Sequence, residues 1–468
     1  MVFSSFVFLF QFLPAFLLIY FLVPDKLKNI VILTGSLIFY FYGIKEHPTY
    51  LLLIILSIMI NYTAALMINR SQTSFGEKIW LLIGMLYNIG SLFLFKYLDF
   101  FCENINQILL MTGSDQSIPY AHLILPIGIS FYTFQISSYL IDVYRKKFPA
   151  ERSIITLGTY LCLFPQLIAG PIVTFAEIRE QLHKRTHSLQ NMEDGLREFT
   201  IGLALKVLIA NRVGGIWTQA AAIGYESIST PMAWLALISY SLQIYFDFYG
   251  YSLMAKGLGT IMGFHFPDNF KDPYLSCSVS EFWRRWHMTL GSWFREYVYI
   301  PLGGNRRYYL RNLFIVWLLT GLWHGASWNF ILWGLFSFLL ILFEKEIYGR
   351  ALDSKPVLGH SYMVCFILFS WLLFGITDLN QLGIYVTRMF PFLSQNTAAV
   401  FPGDFVKHLS ECALPLFAGL LCCTGIPRKI YEKHKYSLLI TLALVLLFWA
   451  CVHSMYLGLD DPFLYYQF

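Results

Sequence analysis

The sequence predicts an all-α polytopic membrane protein of about eleven or twelve membrane segments, some of them re-entrant. Three observations carry that prediction. The 468 residues are 57% hydrophobic and 18% aromatic but only 13% charged, whereas soluble domains carry about 25% charged residues. Apolar runs near the bilayer-crossing length recur along the whole chain. Basic residues collect in alternate loops, as the positive-inside rule requires. The net charge of +5 gives no sign of nucleic-acid binding. The 8 cysteines lie mostly in apolar stretches without CxxC spacing or a disulfide framework, and Cys422 and Cys423 read as apolar filler. No internal repeat or low-complexity linker divides the chain, so a single domain over 1–468 is expected.

The first run, up to Pro24, lacks the basic n-region and cleavage site of a secretory signal and reads as a retained helix. Further runs follow at 29–43, 49–68, 79–98, 121–141, 154–172, 199–217, 233–263, 312–343, 361–378, 412–425 and 437–457. Lys26 and Lys28, then Arg70 and Lys78, place their loops in the cytoplasm and the N-terminus outside. Two runs are interrupted: 123–134 by Pro126 and Gly128, and 161–173 by Pro165, Gly170 and Pro171. Broken helices are tolerated only where protein or a water-filled cavity surrounds the freed backbone. Basic stretches at Arg145–Arg152 and Glu177–His187 flank the 154–172 run on both sides, which favours re-entry over a kink. His183 and His187 have helical spacing but lack the Glu of a zinc-protease motif, and read as a solvated face.

Between 282 and 299 a strongly basic helix is expected, lying at an interface or bordering a cavity. Trp283, Trp286, His287, Leu290, Phe294 and Tyr297 share its apolar face, while Arg284, Arg285 and Arg295 lie mainly on other faces. Taken alone, His287 reads as a satisfied structural histidine somewhat more readily than as a functional one. Pro301–Asn305 ends this helix with turn chemistry, and Arg306, Arg307 and Arg311 follow. Those arginines serve either as a positive-inside anchor or as a site for an anionic cytosolic substrate bearing phosphates. The next run, Leu313–Phe343, is about 30 residues long and holds His324 in its middle. An ionisable side chain at membrane depth usually faces a bundle interior or a water-filled cavity, and imidazole suits proton transfer near neutral pH. His324 is therefore a candidate catalytic group. Trp323, Trp328 and Asn329 are candidates for shaping its site, and Asp247, with Gln243 one turn earlier, is a second intramembrane polar pair.

These strings resemble the membrane-bound O-acyltransferases, most of all the branch that serves bacterial alginate O-acetylation. The resemblance covers nearly the whole chain. It runs through Leu125–Arg145 (LPIGISFYTFQISSYLIDVYR), Phe164–Ile172 (FPQLIAGPI), Gln243–Ser252 (QIYFDFYGYS) and Gly263–Tyr274 (GFHFPDNFKDPY). It is densest in Phe282–Arg306 (FWRRWHMTLGSWFREYVYIPLGGNR) and Gly321–Gly334 (GLWHGASWNFILWG). The resemblance implies that His324 is the essential histidine and His287 the second characteristic one. It also implies a ring of membrane helices around a thinned central chamber, where a cytosolic thioester meets an extracytoplasmic acceptor. Tyr249 and Leu253 stand where the alginate-type pattern has a serine and an acid, which separates this chain from that pattern.

The resemblance implies transfer of an acyl group, acetyl from acetyl-CoA, for O-acetylation of an exported or cell-wall polysaccharide. No bound cofactor and no metal site are expected. His324 is the candidate general base for the acceptor hydroxyl. His287 is left to bind the thioester carbonyl, orient the acceptor or stabilise developing charge. The chain has no sizeable soluble domain to deliver a polymer hydroxyl, so an extracytoplasmic acetyltransferase partner is expected beside it in a bacterial inner membrane. Two alternatives stay open: a carrier-protein thioester of the D-alanyl type as donor, and a proton-coupled transporter with a histidine relay.

Overall fold

A computed structural model describes residues 2–168, 170–393 and 400–458. Among them the regular structure is helical throughout, and contacts group the chain into two units. The first unit holds residues 1–195 and 258–267; the second holds 196–257 and 268–468.

In the first unit, a wide turn at Phe8–Phe12 leads into α1 (Leu13–Leu22). α2 (Lys28–Gly43), α3 (Tyr50–Arg70), α4 (Ser74–Leu92) and α5 (Leu98–Met111) follow. α3 and α4 are apolar along their length, so their polar contact is specific. The buried amides of Asn61 and Asn88 donate to each other at 2.9 Å in both directions. In an apolar surround this pair is costly unless made, and it fixes the register of the two helices.

The two interrupted runs behave as their prolines and glycines predict. Residues 121–128 are non-helical, and α6 (Ile129–Tyr144) starts only after Gly128. α7 (Ile154–Cys162) stops at Leu163, α8 (Phe164–Leu167) is one turn, and helix resumes at α9 (Phe175–His183). The two breaks meet. Gly128 has φ 74°, and a Cβ there would lie 2.6 Å from the Leu167 carbonyl oxygen, so only glycine fits. His183, the last residue of α9, and His187 beyond it are more engaged than a solvated face implies. His183 Nε2 lies 2.8 Å from Glu151, and the His187 ring packs on Tyr20 and Phe21 at 5.6 Å.

Helices α10 (Leu189–Ala204) and α12 (Thr230–Ile261) each begin in one unit and end in the other, with α11 (Asn211–Ile223) between them. The second unit continues with α13 (Val279–Trp283), α14 (Met288–Phe294), α15 (Tyr309–His324) and α16 (Trp328–Phe343). It closes with α17 (Gly349–Ser354), α18 (Pro356–Gly375), α19 (Leu379–Met389), α20 (Asp404–Cys423), α21 (Ile426–His434) and α22 (Leu438–Tyr456). Six helices among the described residues are long and apolar enough to cross a bilayer: Tyr50–Arg70, Ser74–Met111, Leu189–Ile223, Pro356–Gly375, Asp404–Cys423 and Leu438–Tyr456. α20 and α22 bury little of their apolar surface in protein, as lipid-facing helices do.

Two expectations about helix continuity are corrected. The 282–299 segment is not one helix: it breaks at Arg284–His287, between α13 and α14. The run Leu313–Phe343 is not one span but a hairpin of two 16-residue helices, turning at Gly325–Ser327. Glycines make the hairpin close. A Cβ on Gly321 would sit 2.4 Å from the Phe330 carbonyl oxygen, and one on Gly334 at 2.4 Å from that of Trp317. Small residues of this kind let helix backbones touch in a membrane. The first arm is roughly 24 Å long at 1.5 Å per residue, short of the ~30 Å hydrocarbon thickness, while the second runs on as helix through Glu344–Tyr348 to Ser354.

Candidate active site

His324 ends α15, at the tip of the hairpin rather than in the middle of a span. The turn exists because Gly325 carries no side chain: a Cβ there would lie 2.2 Å from the Phe330 ring. The His324 imidazole is 5% exposed and ringed by aromatics. Trp323 is at 5.0 Å between ring centroids, Trp333 at 5.0 Å and Phe374 at 5.1 Å. Asn329 braces this wall, donating from Nδ2 to the carbonyls of Leu373 and Phe374 at 3.2 Å each. Its amide thus ties α16 to α18 and sets Phe374 against His324.

His287 occupies the break between α13 and α14 with left-handed backbone, φ 42° and ψ 52°. That conformation costs a non-glycine residue on the order of 1 kcal/mol and clusters at functional sites. The surrounding contacts enforce it. Trp286 is buried against Tyr245, Phe270 and Trp371. Glu344, at the end of α16, accepts from the Val279 and Ser280 amides that start α13. On the other side the Met288 amide donates to the Asn269 carbonyl at 2.9 Å.

Asn269 also settles the tautomer of His287. Its Oδ1 accepts from the Thr289 backbone N–H at 3.3 Å and the Thr289 hydroxyl at 2.9 Å. A backbone N–H only donates, so the atom it meets is the amide oxygen and the NH2 points toward Ser252 Oγ at 3.2 Å. The His287 Nδ1, 3.0 Å from the same oxygen, must then carry the proton. In the neutral ring Nε2 is left as a bare lone pair. It is buried and has no hydrogen-bond partner among the described residues. Phe248 stands edge-on to this ring at 4.7 Å and Trp323 at 5.8 Å. Trp323 thus touches both histidines, and the geometry brings His287, Trp323 and His324 into one buried cluster.

The remaining sequence candidates lie as follows. Asp247 pairs with Lys206 at 2.8 Å, both side chains 2% exposed, and Lys206 donates onward to Asn211 Oδ1 at 2.7 Å. This buried pair braces α12 next to Phe248. Gln243 lies against Gly214, where a Cβ would meet its side chain at 2.3 Å. Trp328 is 52% exposed at the start of α16. Arg311 is held by its own loop, donating to Leu302 O at 3.2 Å and Asn312 Oδ1 at 2.9 Å, while Arg306 and Arg307 are exposed on the turn before α15.

Sequence reasoning missed Asn269, Lys206, Trp333 and Phe374. Lys206 was detectable as a lone lysine in the 199–217 apolar run. Asn269 lies in an aperiodic loop and gave no such signal.

Residues 39–386 match the membrane-bound O-acyltransferase family, MBOAT. The chain belongs to the membrane-bound O-acyltransferases. It is 37% identical to the probable alginate O-acetylase AlgI of Pseudomonas putida over the full length of both proteins. To the Pseudomonas syringae protein of the same name it is 39% identical, over 84% of this chain and 76% of that one. It is 37% identical to the peptidoglycan O-acetyltransferase of Helicobacter pylori, over 81% of this chain and 78% of that one. This member of the family is thus a multi-pass membrane O-acyltransferase. The cluster at Trp323 falls within the matched residues.

Proposed function

We propose that the protein takes an acetyl group from acetyl-CoA on the cytosolic side of a bacterial inner membrane and passes it to a hydroxyl outside. An extracytoplasmic partner then completes O-acetylation of an exported or cell-wall polysaccharide. The relatives' names support the reaction type and acceptor class. The paired backbone breaks near Gly128 and Leu167 suit the lining of the cavity expected of the family.

The observation that carries the mechanism is the fixed tautomer of His287. A neutral ring protonated at Nδ1 accepts at Nε2 and does not donate to the thioester carbonyl from that atom. We therefore assign the acceptor hydroxyl's proton to His287 Nε2, in place of His324, and the carbonyl side of the reaction to His324. The hydroxyl oxygen attacks the thioester carbon as its proton moves to Nε2. Charge collects on the carbonyl oxygen, where the His324 ring N–H donates to it. The C–S bond then breaks, and His287 returns the proton to the departing thiolate. The aromatic wall excludes water, which would otherwise hydrolyse the thioester.

Purified protein in nanodiscs should release CoA from acetyl-CoA only when an alcohol acceptor is present. Release without dependence on acceptor, or none with acetyl-CoA but transfer from an acylated carrier protein, would overturn the donor assignment. Neutralising Arg306 and Arg307 together to glutamine should raise the KM for acetyl-CoA and leave kcat unchanged, because phosphate contacts are equal in ground and transition states. Unchanged KM with altered protein level would make the pair a topological anchor.

Asn269 gives a sharper test. Asn269→Asp keeps an oxygen acceptor for His287 Nδ1–H and should retain most of kcat. Asn269→Leu removes it, frees the ring to adopt the other tautomer, and should lower kcat by roughly ten- to a hundredfold. Equal activity of the two variants would show that the tautomer does not matter.

A further inference from the structure

The loop pairing that holds His287 has a second end. The Lys271 amide donates to the Arg285 carbonyl at 2.9 Å, two residues along from the bond between Met288 and Asn269. At that end an open cleft of about 460 Å³ is lined by Lys271, Ser278, Glu281, Arg284 and Arg285. Its charges do not balance. Glu281, the one carboxylate, is already engaged: one oxygen accepts from the Cys277 amide at 2.8 Å, the other from Arg285 Nη2 at 2.6 Å. The side chains of Lys271 and Arg284 form no ion pair or hydrogen bond among the described residues.

Two uncompensated cations sharing a cleft repel each other, and the ligand that relieves this is a dianion. A phosphate monoester or pyrophosphate supplies the charge, and its oxygens match the fork of a guanidinium. The volume falls within the range of small-molecule sites. We propose that this cleft binds a phosphate group. On the acyl-transfer reading above, that group is the phosphate-bearing end of the thioester donor, held on the same loop pairing that presents His287. The chemistry is shared by an anionic phospholipid headgroup, so the test must separate the two.

The double variant Lys271→Gln, Arg284→Gln and the wild type, both full-length, are placed in phosphatidylcholine nanodiscs with or without phosphatidylglycerol. CoA binding is measured by calorimetry. KM and kcat are measured with acetyl-CoA and with S-acetylpantetheine, which has no phosphate. Expected is a roughly tenfold weaker CoA affinity and a matching rise in KM for acetyl-CoA in the variant, with kcat and S-acetylpantetheine kinetics unchanged. If CoA affinity is equal but phosphatidylglycerol stabilises only the wild type, the phosphate is a lipid's. If neither CoA nor phosphatidylglycerol distinguishes the two proteins, the cleft is not a phosphate site, whatever the fate of the acyl-transfer reading. Conversely, loss of CoA binding in the variant, with no acetyl transfer by the wild type, would uphold the cleft and sink acetyl-CoA as donor. Yield and thermal stability of the double variant in nanodiscs equal to those of the wild type exclude a general folding defect.

Discussion

His324→Ala should lower acyl transfer by roughly a thousandfold or more with every nucleophile offered, because the group it removes serves the carbonyl oxygen and not the attacking atom. The tetrahedral intermediate carries the same negative oxygen whether an alcohol, an amine or hydroxylamine attacks. A lost donor in a buried site is not replaced by solvent. The fold should survive. His324 lies at the end of α15, and its neighbours Trp333 and Phe374 are held by their own contacts, Trp333 Nε1 donating to Ser370 Oγ at 2.9 Å. The measurement is CoA release by the purified variant with three nucleophiles, beside its yield and thermal stability in nanodiscs. Near-normal turnover with hydroxylamine alone would give His324 the base role instead.

The two histidines differed in how legible they were. His324 stood out because an imidazole inside an apolar run is costly, and cost implies a reason. The same run misled on geometry: hydropathy reports apolar length, and a hairpin of two apolar arms has the same composition as one long span. The turn was written in Gly325 and in the small residues Gly321 and Gly334, whose meaning depends on the partner backbone and not on local sequence. For His287 the helical spacing of aromatics around it predicted a continuous helix, and that prediction failed at the residue that matters. Tertiary anchors, Trp286 in the core and Glu344 on the start of α13, hold the break open against local propensity. The Asp247 pair was legible in part: the acid was visible in its string, but its partner Lys206 is 41 positions earlier, and no spacing rule joins them. The interrupted segments were the most readable, since proline and glycine act on the backbone where they stand.

His287→Ala should separate the nucleophiles that His324→Ala does not. With an alcohol acceptor, loss of a general base costs roughly 10² to 10⁴ in rate. Hydroxylamine attacks a thioester as the neutral molecule and needs no base to begin, so it should keep much of its wild-type rate once the uncatalysed background is subtracted. The argument rests on one oxygen. Asn269 Oδ1 accepts from Nδ1–H, Thr289 fixes that oxygen in place, and Nε2 is left with a lone pair and no hydrogen-bond partner among the described residues. A ring held this way costs left-handed backbone and two packed aromatics to position, and packing alone does not require a specific tautomer. If His287→Ala slows alcohol and hydroxylamine equally, Nε2 is not the base, and His287 serves to hold Trp323 against His324.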